Sequence, residues 1–232
     1  SDQGIITNNG EIIGKKIINA AGLYADKIAK DFNFSENYTI IPFKGIYLKT
    51  NGEQQQLKTN VYPVPNLANP FLGVHFTITV DGVAKIGPTA IPAFWRENYG
   101  GFANFKLDEL AEVLWNESKL FLTNSFNFRK LAFEEVKKYS ANHLLDLASH
   151  MVHDFDRAKF ATWAKPGIRA QLLNKSTLEL VQDFVVEGDE NSIHILNAVS
   201  PAFSCSFPFS QWVVGKIVAN DFDFNSKNQP NL

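Results

Sequence analysis

Apolar and polar positions alternate most cleanly over Phe71–Val80. Leu72, Val74, Phe76, Ile78 and Val80 share one side of an extended chain there, with Gly73, His75, Thr77 and Thr79 on the other. That period predicts a strand with one greasy face, turned by Asp81-Gly82 into a returning strand at Val83–Gly87. A second hairpin is predicted over Gly4–Gly14, turning at Asn8–Gly10. Ile17–Gly22 is apolar without alternation, the texture of a strand covered on both faces, and helix-forming residues follow from Tyr24 to about Phe32. Strand, small residues, then helix is the local order of a doubly wound sheet.

Beyond Tyr38 the pattern turns to strands and turns. Ile40–Thr50 reads as one strand and Val61–Pro65 as a short edge strand, because its prolines cannot donate to a ladder. Lys106–Phe121 has the helical period, with Leu107, Leu110, Leu114 and Phe121 as the stripe expected to face the core. Helical sequence continues over Arg129–Tyr139 and Ala141–His153. Strands return at Gly167–Leu173, Phe184–Glu187 and Ile193–Ala198, and a last helix spans Phe207–Asn220. Asn225–Leu232 is a polar tail.

Composition narrows the function classes. Hydrophobic residues make up 45% and charged residues 20% of 232 positions, ordinary for a globular chain that can bury a core. Twenty Phe against one Met favour a packed, partly β architecture over a helical bundle. A formal net charge of −2 gives no electrostatic reason to expect a nucleic-acid partner. Cys205 is the single cysteine, so neither an intrachain disulfide nor a cysteine-based metal cluster is expected; a reducing, cytoplasmic location is. No apolar run approaches the length of a transmembrane segment, and peripheral attachment to a membrane stays open.

No Gly-x-Gly-x-x-Gly turn, Walker loop or paired-cysteine motif occurs in the 232 residues. The informative stretches are Ile18-Asn-Ala-Ala-Gly-Leu-Tyr-Ala-Asp26, Pro42-Phe-Lys-Gly45, Tyr62-Pro-Val-Pro65, Pro70-Phe-Leu-Gly-Val-His-Phe-Thr77 with Ile86-Gly-Pro88, Gly167-Ile-Arg-Ala-Gln171, and Asn197-Ala-Val-Ser-Pro-Ala202. In order and content they resemble the latter part of the FAD-dependent oxidoreductases of the D-amino-acid oxidase superfamily. Within it they are nearest to the L-2-hydroxyglutarate oxidase/dehydrogenase branch. The Asn-Ala-Ala-Gly element marks only the superfamily; the Pro70–Thr77 and Gly167–Gln171 elements are more specific to the branch.

The resemblance implies a mixed α+β and α/β fold. Residues 1–38 and 166–224 would be the closing strands and last helix of a Rossmann-like FAD domain, residues 39–165 an antiparallel-sheet substrate domain with helices, and 225–232 a tail. The implied reaction passes hydride from C2 of a 2-hydroxy acid to FAD, turning L-2-hydroxyglutarate into 2-oxoglutarate. Ala20, Ala21 and Gly22, and then Ser200, Pro201 and Ala202, would border the cofactor; tight strand–helix packing explains the first group equally well. Arg169 would grip the substrate carboxylate, since a guanidinium binds it through two parallel N–H donors. Without the resemblance, a structural salt bridge is the better reading of Arg169. His75 would accept the hydroxyl proton, against the alternative of a hydrogen-bonded histidine at a sheet surface. Lys44 or Tyr47 would reach the second carboxylate of a dicarboxylic acid, with solvent exposure and plain strand packing as their alternatives.

In this family the phosphate-binding glycine turn lies upstream of the position of Ser1. The chain is therefore read as a fragment whose partner would be the missing N-terminal FAD-domain segment, catalytically silent alone. The Phe203–Phe207 loop departs from the small residues usual there. It favours the rival reading, a non-catalytic remnant or split-gene subunit that acts as a binding module.

Overall fold

The computed structural model describes residues 3–53, 56–64, 73–152, 154–199 and 202–224. The readings at Pro65, Phe71, Leu72, His153, Ser200, Pro201 and Asn225–Leu232 lie outside the described residues. Thirteen strands are present among them. The first seven are β1 (Gln3–Thr7), β2 (Gly10–Gly14), β3 (Ile17–Asn19), β4 (Tyr38–Gly45), β5 (Leu48–Thr50), β6 (His75–Ile78) and β7 (Ala84–Gly87). The rest are β8 (Ile91–Pro92), β9 (Phe160–Trp163), β10 (Gly167–Asn174), β11 (Glu179–Leu180), β12 (Val185–Gly188) and β13 (Ser192–Asn197). The α-helices are α1 (Ala25–Asp31), α2 (Leu107–Thr123), α3 (Phe128–Lys137), α4 (Ala141–Ser149) and α5 (Ser206–Val218). The chain divides into two compact units, Ser1–Ile40 with Ala170–Leu232, and Ile41–Arg169, crossing between them within β4 and within β10.

In the first unit β1 and β2 form the expected hairpin, and Gly10 takes the positive φ of +112° that its turn demands. β3 runs parallel to β13, and β12 lies antiparallel on the other side of β13. Alternation along β13 serves two cores. Leu196 packs with Ala25 and Ala29 of α1, whereas Ile193 packs with Phe209 and Val213 of α5. The expectation that β3 is covered on both faces fails, because Ile17 and Asn19 are buried but Ile18 is 54% exposed. Among the described residues β3 is three residues long and has one neighbouring strand, β13. The buried Asp26 carboxylate of α1 accepts the Ile40 backbone N–H at 3.1 Å and so ties the helix to the start of β4.

In the second unit the strands are ordered β6-β7-β5-β9, all antiparallel. Val74, Phe76, Ile86 and Leu48 pack on Leu144, Leu145 and Ala148 of α4. Val80 does not belong to this face; β6 stops at Ile78, and Val80 is fully exposed in a turn closed by Thr79 and Val83. Val61 makes an isolated bridge with Phe76 rather than a strand. The strand predicted over Ile40–Thr50 is two strands. Between them the Ile46 N–H donates to Thr89 Oγ1 at 3.1 Å, and that hydroxyl donates to the Lys44 carbonyl at 3.0 Å. A side chain thus replaces ladder partners, and the chain passes from pairing with β8 to pairing with β7 and β9.

Helix α2 corrects the periodicity reading most sharply. Its buried side chains are Glu109, Val113, Asn116 and Leu120, while Leu107, Leu114 and Phe121 of the predicted core stripe are 70%, 42% and 42% exposed. Glu109 explains the rotation. Its carboxylate accepts the Arg96 backbone N–H at 3.0 Å and the Lys106 ammonium at 3.1 Å, so a buried polar face is fully engaged.

Candidate functional site

His75 opens β6 and is buried on the sheet face opposite Phe76. Its ring lies 4.5 Å, centroid to centroid, from that of Tyr62. Its Nδ1 is 2.9 Å from the Gly73 carbonyl oxygen, which can only accept, so the neutral ring carries its proton on Nδ1 and leaves a lone pair on Nε2. Nε2 has no hydrogen-bond partner among the described residues. Burial lowers the proton affinity of His75, the Gly73 contact opposes that, and the positive charge of Arg169 lowers it further.

Arg169 lies in the first half of β10, part-exposed. Among the described residues it forms neither a salt bridge nor a side-chain hydrogen bond, which removes the structural ion pair as its explanation there. The structure therefore brings a buried imidazole and a guanidinium within electrostatic reach of each other, the first with no partner for Nε2 and the second with no carboxylate partner among the described residues.

Lys44 and Tyr47 flank the break between β4 and β5. The Lys44 ammonium donates to Asn98 Oδ1 at 2.9 Å, and burial pulls its pKa below the ordinary lysine value. Lys44 is thus half-buried rather than solvated. Tyr47 packs on Gly87, which faces His75 across the β6–β7 ladder. A Cβ at Gly87 would fall 2.7 Å from the Ile46 carbonyl and 2.9 Å from the Tyr47 ring, so the close approach requires glycine. Sequence reasoning did not name Tyr62, Gly87 or Asn98 as site residues; Tyr62 and Gly87 lay within the stretches Tyr62–Pro65 and Ile86–Pro88 that carried the resemblance, and Asn98 carried no signal.

In the first unit Ala20, Ala21 and Gly22 are all exposed, and Gly22 has φ +55° with open space where a Cβ would stand. Asn19 steers this stretch: its Oδ1 accepts the Ala21 N–H at 3.2 Å, and its Nδ2 donates to the Ala25 carbonyl at 2.8 Å. The result is a bare backbone strip beyond a parallel strand, held by Asn19. Ala202 lies in a turn four residues before α5 begins at Ser206, so the helix terminus is not at Ala202 itself. Phe203 and Phe207 beyond it are 94% and 82% exposed.

The profile of the FAD dependent oxidoreductase family matches residues 2–215. The chain belongs to that family. It is 36% identical over 206 residues to the L-2-hydroxyglutarate dehydrogenase of Indibacter alkaliphilus, covering 87% of this chain and 50% of that protein. It is 32% identical over 219 residues to the mitochondrial L-2-hydroxyglutarate dehydrogenase of Homo sapiens, covering 91% of this chain and 46% of that one. The chain thus spans about half the length of the curated relatives it matches. Among solved structures, dithionite-reduced L-alpha-glycerophosphate oxidase from Mycoplasma pneumoniae with FAD bound superposes with a TM-score of 0.60. At 20% identity, over 94% of this chain and 47% of that one, it shares the fold. The mixed α/β architecture with antiparallel sheets is accordingly that of an FAD-dependent oxidase. No helix among the described residues is long and apolar enough to cross a membrane, and no cluster of candidate metal ligands occurs there.

Proposed function

We propose that this chain is the substrate-binding part, with closing elements of the FAD domain, of an oxidoreductase that converts L-2-hydroxyglutarate to 2-oxoglutarate. The observation that carries the reading is Arg169, without an ionic partner among the described residues, within electrostatic reach of His75, whose Nε2 has no hydrogen-bond partner among the described residues. Names of relatives at 30–36% identity supply the substrate class. FAD, when bound, supplies the hydride acceptor.

In this reading Arg169 holds the carboxylate next to C2 through two parallel N–H donors, which orients the C2–H bond. His75 Nε2 accepts the hydroxyl proton as that bond breaks, and the Gly73 carbonyl keeps the ring in the competent tautomer. The imidazolium that forms sits near a guanidinium, so it returns its proton to solvent readily. Lys44 and Tyr47 take the distal carboxylate of the dicarboxylic acid. Burial of Lys44 strengthens an ion pair there relative to one in water. Ala20, Ala21, Gly22 and Ala202, with Ser200 and Pro201, border the cofactor. Residues 1–38 and 166–224 form the FAD-domain part and 39–165 the substrate domain.

These 232 residues contain no glycine-rich phosphate turn, so we expect them alone to retain little FAD. The exposed Phe203 and Phe207 give the rival, a non-catalytic binding module, its one specific support. The test joins these residues to an N-terminal FAD-domain segment that carries a glycine-rich turn, loads FAD, mixes the product anaerobically with L- or D-2-hydroxyglutarate and follows the visible flavin absorbance. Bleaching by the L-enantiomer that is slowed more than about 100-fold in His75→Gln and Arg169→Met supports the assignment. Failure of the L-enantiomer to bleach a properly loaded protein overturns it.

A further inference from the structure

The apolar stripe of α2 that faces away from the core forms one wall of an open groove. Leu114, Phe121 and Leu122 line it from α2, Phe128 and Ala132 from α3, and Pro92 from β8, around about 410 Å³. That volume lies within the range of sites that hold small molecules. One acidic side chain, Glu117, lies in this wall. Its Oε1 is sealed from solvent and has no hydrogen-bond partner among the described residues.

Groups that would otherwise neutralise Glu117 are committed elsewhere. On α3, Arg129 donates to the Phe121 and Leu122 carbonyls, Lys130 faces Glu134, and Lys138 just beyond the helix pairs with Glu135. On α2, Lys119 lies over the Trp115 ring, Lys106 pairs with Glu109, and Glu112 pairs with Arg96 from the loop after β8. Burial holds the Glu117 carboxyl at about 8, far above an ordinary carboxylate. A part-buried acid with one sealed oxygen that has no partner among the described residues, beside a largely hydrocarbon wall, is suited to a donor that brings its own apolar body.

We propose that this groove binds a small organic ammonium ion, its N–H groups donated to Glu117 and its hydrocarbon laid on Leu114, Phe121 and Phe128. The site involves neither His75 nor Arg169 and is independent of the flavin reaction. Near neutral pH, binding exchanges one cation for another. The ammonium enters, the Glu117 carboxylic acid loses its proton to the buffer, and an ion pair remains. At pH 7, about a unit below the Glu117 pKa, about nine carboxyls in ten carry that proton.

Calorimetry on the 232-residue chain with n-hexylammonium chloride, in two buffers of different ionisation enthalpy, tests this. The expected result is saturable binding with release of close to one proton, and 1-hexanol binding at least about tenfold more weakly with no release. Glu117→Gln should weaken hexylammonium at least about tenfold and leave hexanol unchanged. Hexanol binding as tightly as hexylammonium would mean an apolar groove only and would overturn the proposal. So would unchanged hexylammonium binding by Glu117→Gln, or no binding by the parent chain. If Glu117→Gln fails to fold, the proton count on the parent decides, and a count of zero overturns the proposal.

Discussion

The two units each bury a histidine in a sheet, and the two are built to opposite ends. His194 in β13 is saturated. Its Nδ1 accepts from Asn19 Nδ2 at 3.1 Å, which places its proton on Nε2, and Nε2 donates to Ser192 Oγ at 3.0 Å. Phe32 and Phe34 close over its ring at 5.2 and 5.0 Å. His75 in β6 uses one nitrogen on a backbone carbonyl, packs its ring at a tilt against the half-exposed Tyr62, and has no partner for the other nitrogen among the described residues, within electrostatic reach of Arg169. Burial lowers the proton affinity of both. Burial and a shifted pKa therefore do not distinguish the two histidines; what distinguishes them is the Nε2 of His75, which has no hydrogen-bond partner among the described residues.

The sharpest test of this contrast is His75→Gln. Loss of a general base costs about 10²- to 10⁴-fold in kcat, and the melting temperature should move little because only one hydrogen bond is lost. Steady-state kinetics of the FAD-loaded protein with L-2-hydroxyglutarate, read beside a thermal melt, decide it. Retained turnover would place His75 in the same structural class as His194.

His194→Ala should do the reverse, costing about 2–4 kcal/mol of stability from a buried, doubly bonded ring while leaving the catalytic groups in place. Denaturant unfolding measures it. The sign of the pH dependence follows from the lowered pKa of His194. Below 6.5 the unfolded chain binds a proton that the folded chain resists, so this group's contribution is present above 6.5 and lost as pH falls toward its folded value. A parent protein equally stable on both sides of that window would contradict the neutral, saturated assignment.

Arg169→Lys should lower kcat/KM about 10- to 100-fold, since an ammonium cannot reproduce two parallel N–H donors. With His75 as the proposed base, kcat/KM should fall as pH drops through a value below 6.5. Arg169→Met removes a positive neighbour, and this acid limb should then shift to higher pH. A limb that stays in place would separate the two residues. The smallest effect is expected of Gly87→Ala, about 1–3 kcal/mol of stability, because the new methyl meets the Ile46 carbonyl and the Tyr47 ring. Its use is positional. If Tyr47 touches the distal carboxylate, KM for L-2-hydroxyglutarate rises more than KM for a monocarboxylic 2-hydroxy acid.

Elements whose signal is local were legible in the chain. The Gly4–Gly14 hairpin, the β6–β7 pair, helix α1 after small residues and the strands β10, β12 and β13 follow from turn chemistry and period. The short strands β8, β9 and β11 were not foreseen, because two to four residues carry no period. The break at Ile46–Tyr47 depends on a Thr89 hydroxyl more than forty residues away, which no window along the chain contains.

By itself the sequence determined that His75 stands opposite the apolar face of its strand, because side chains alternate along any extended chain whatever surrounds it. It determined likewise that Ala20, Ala21 and Gly22 offer no bulk beyond a strand. Tertiary structure alone decided which face of α2 is buried. Periodicity favoured Leu107, Leu114 and Phe121, but Glu109 binding the Arg96 backbone turned the helix the other way and left an apolar groove around Glu117. It alone decided, too, that His75 and Arg169, on strands ninety-four positions apart, share one electrostatic environment, and that Arg169 has no carboxylate to answer it among the described residues. Alternation and turn geometry act over a few bonds and are written in neighbouring residues. Charge, desolvation and the satisfaction of buried polar groups depend on what arrives through space, and only the folded chain brings those groups together.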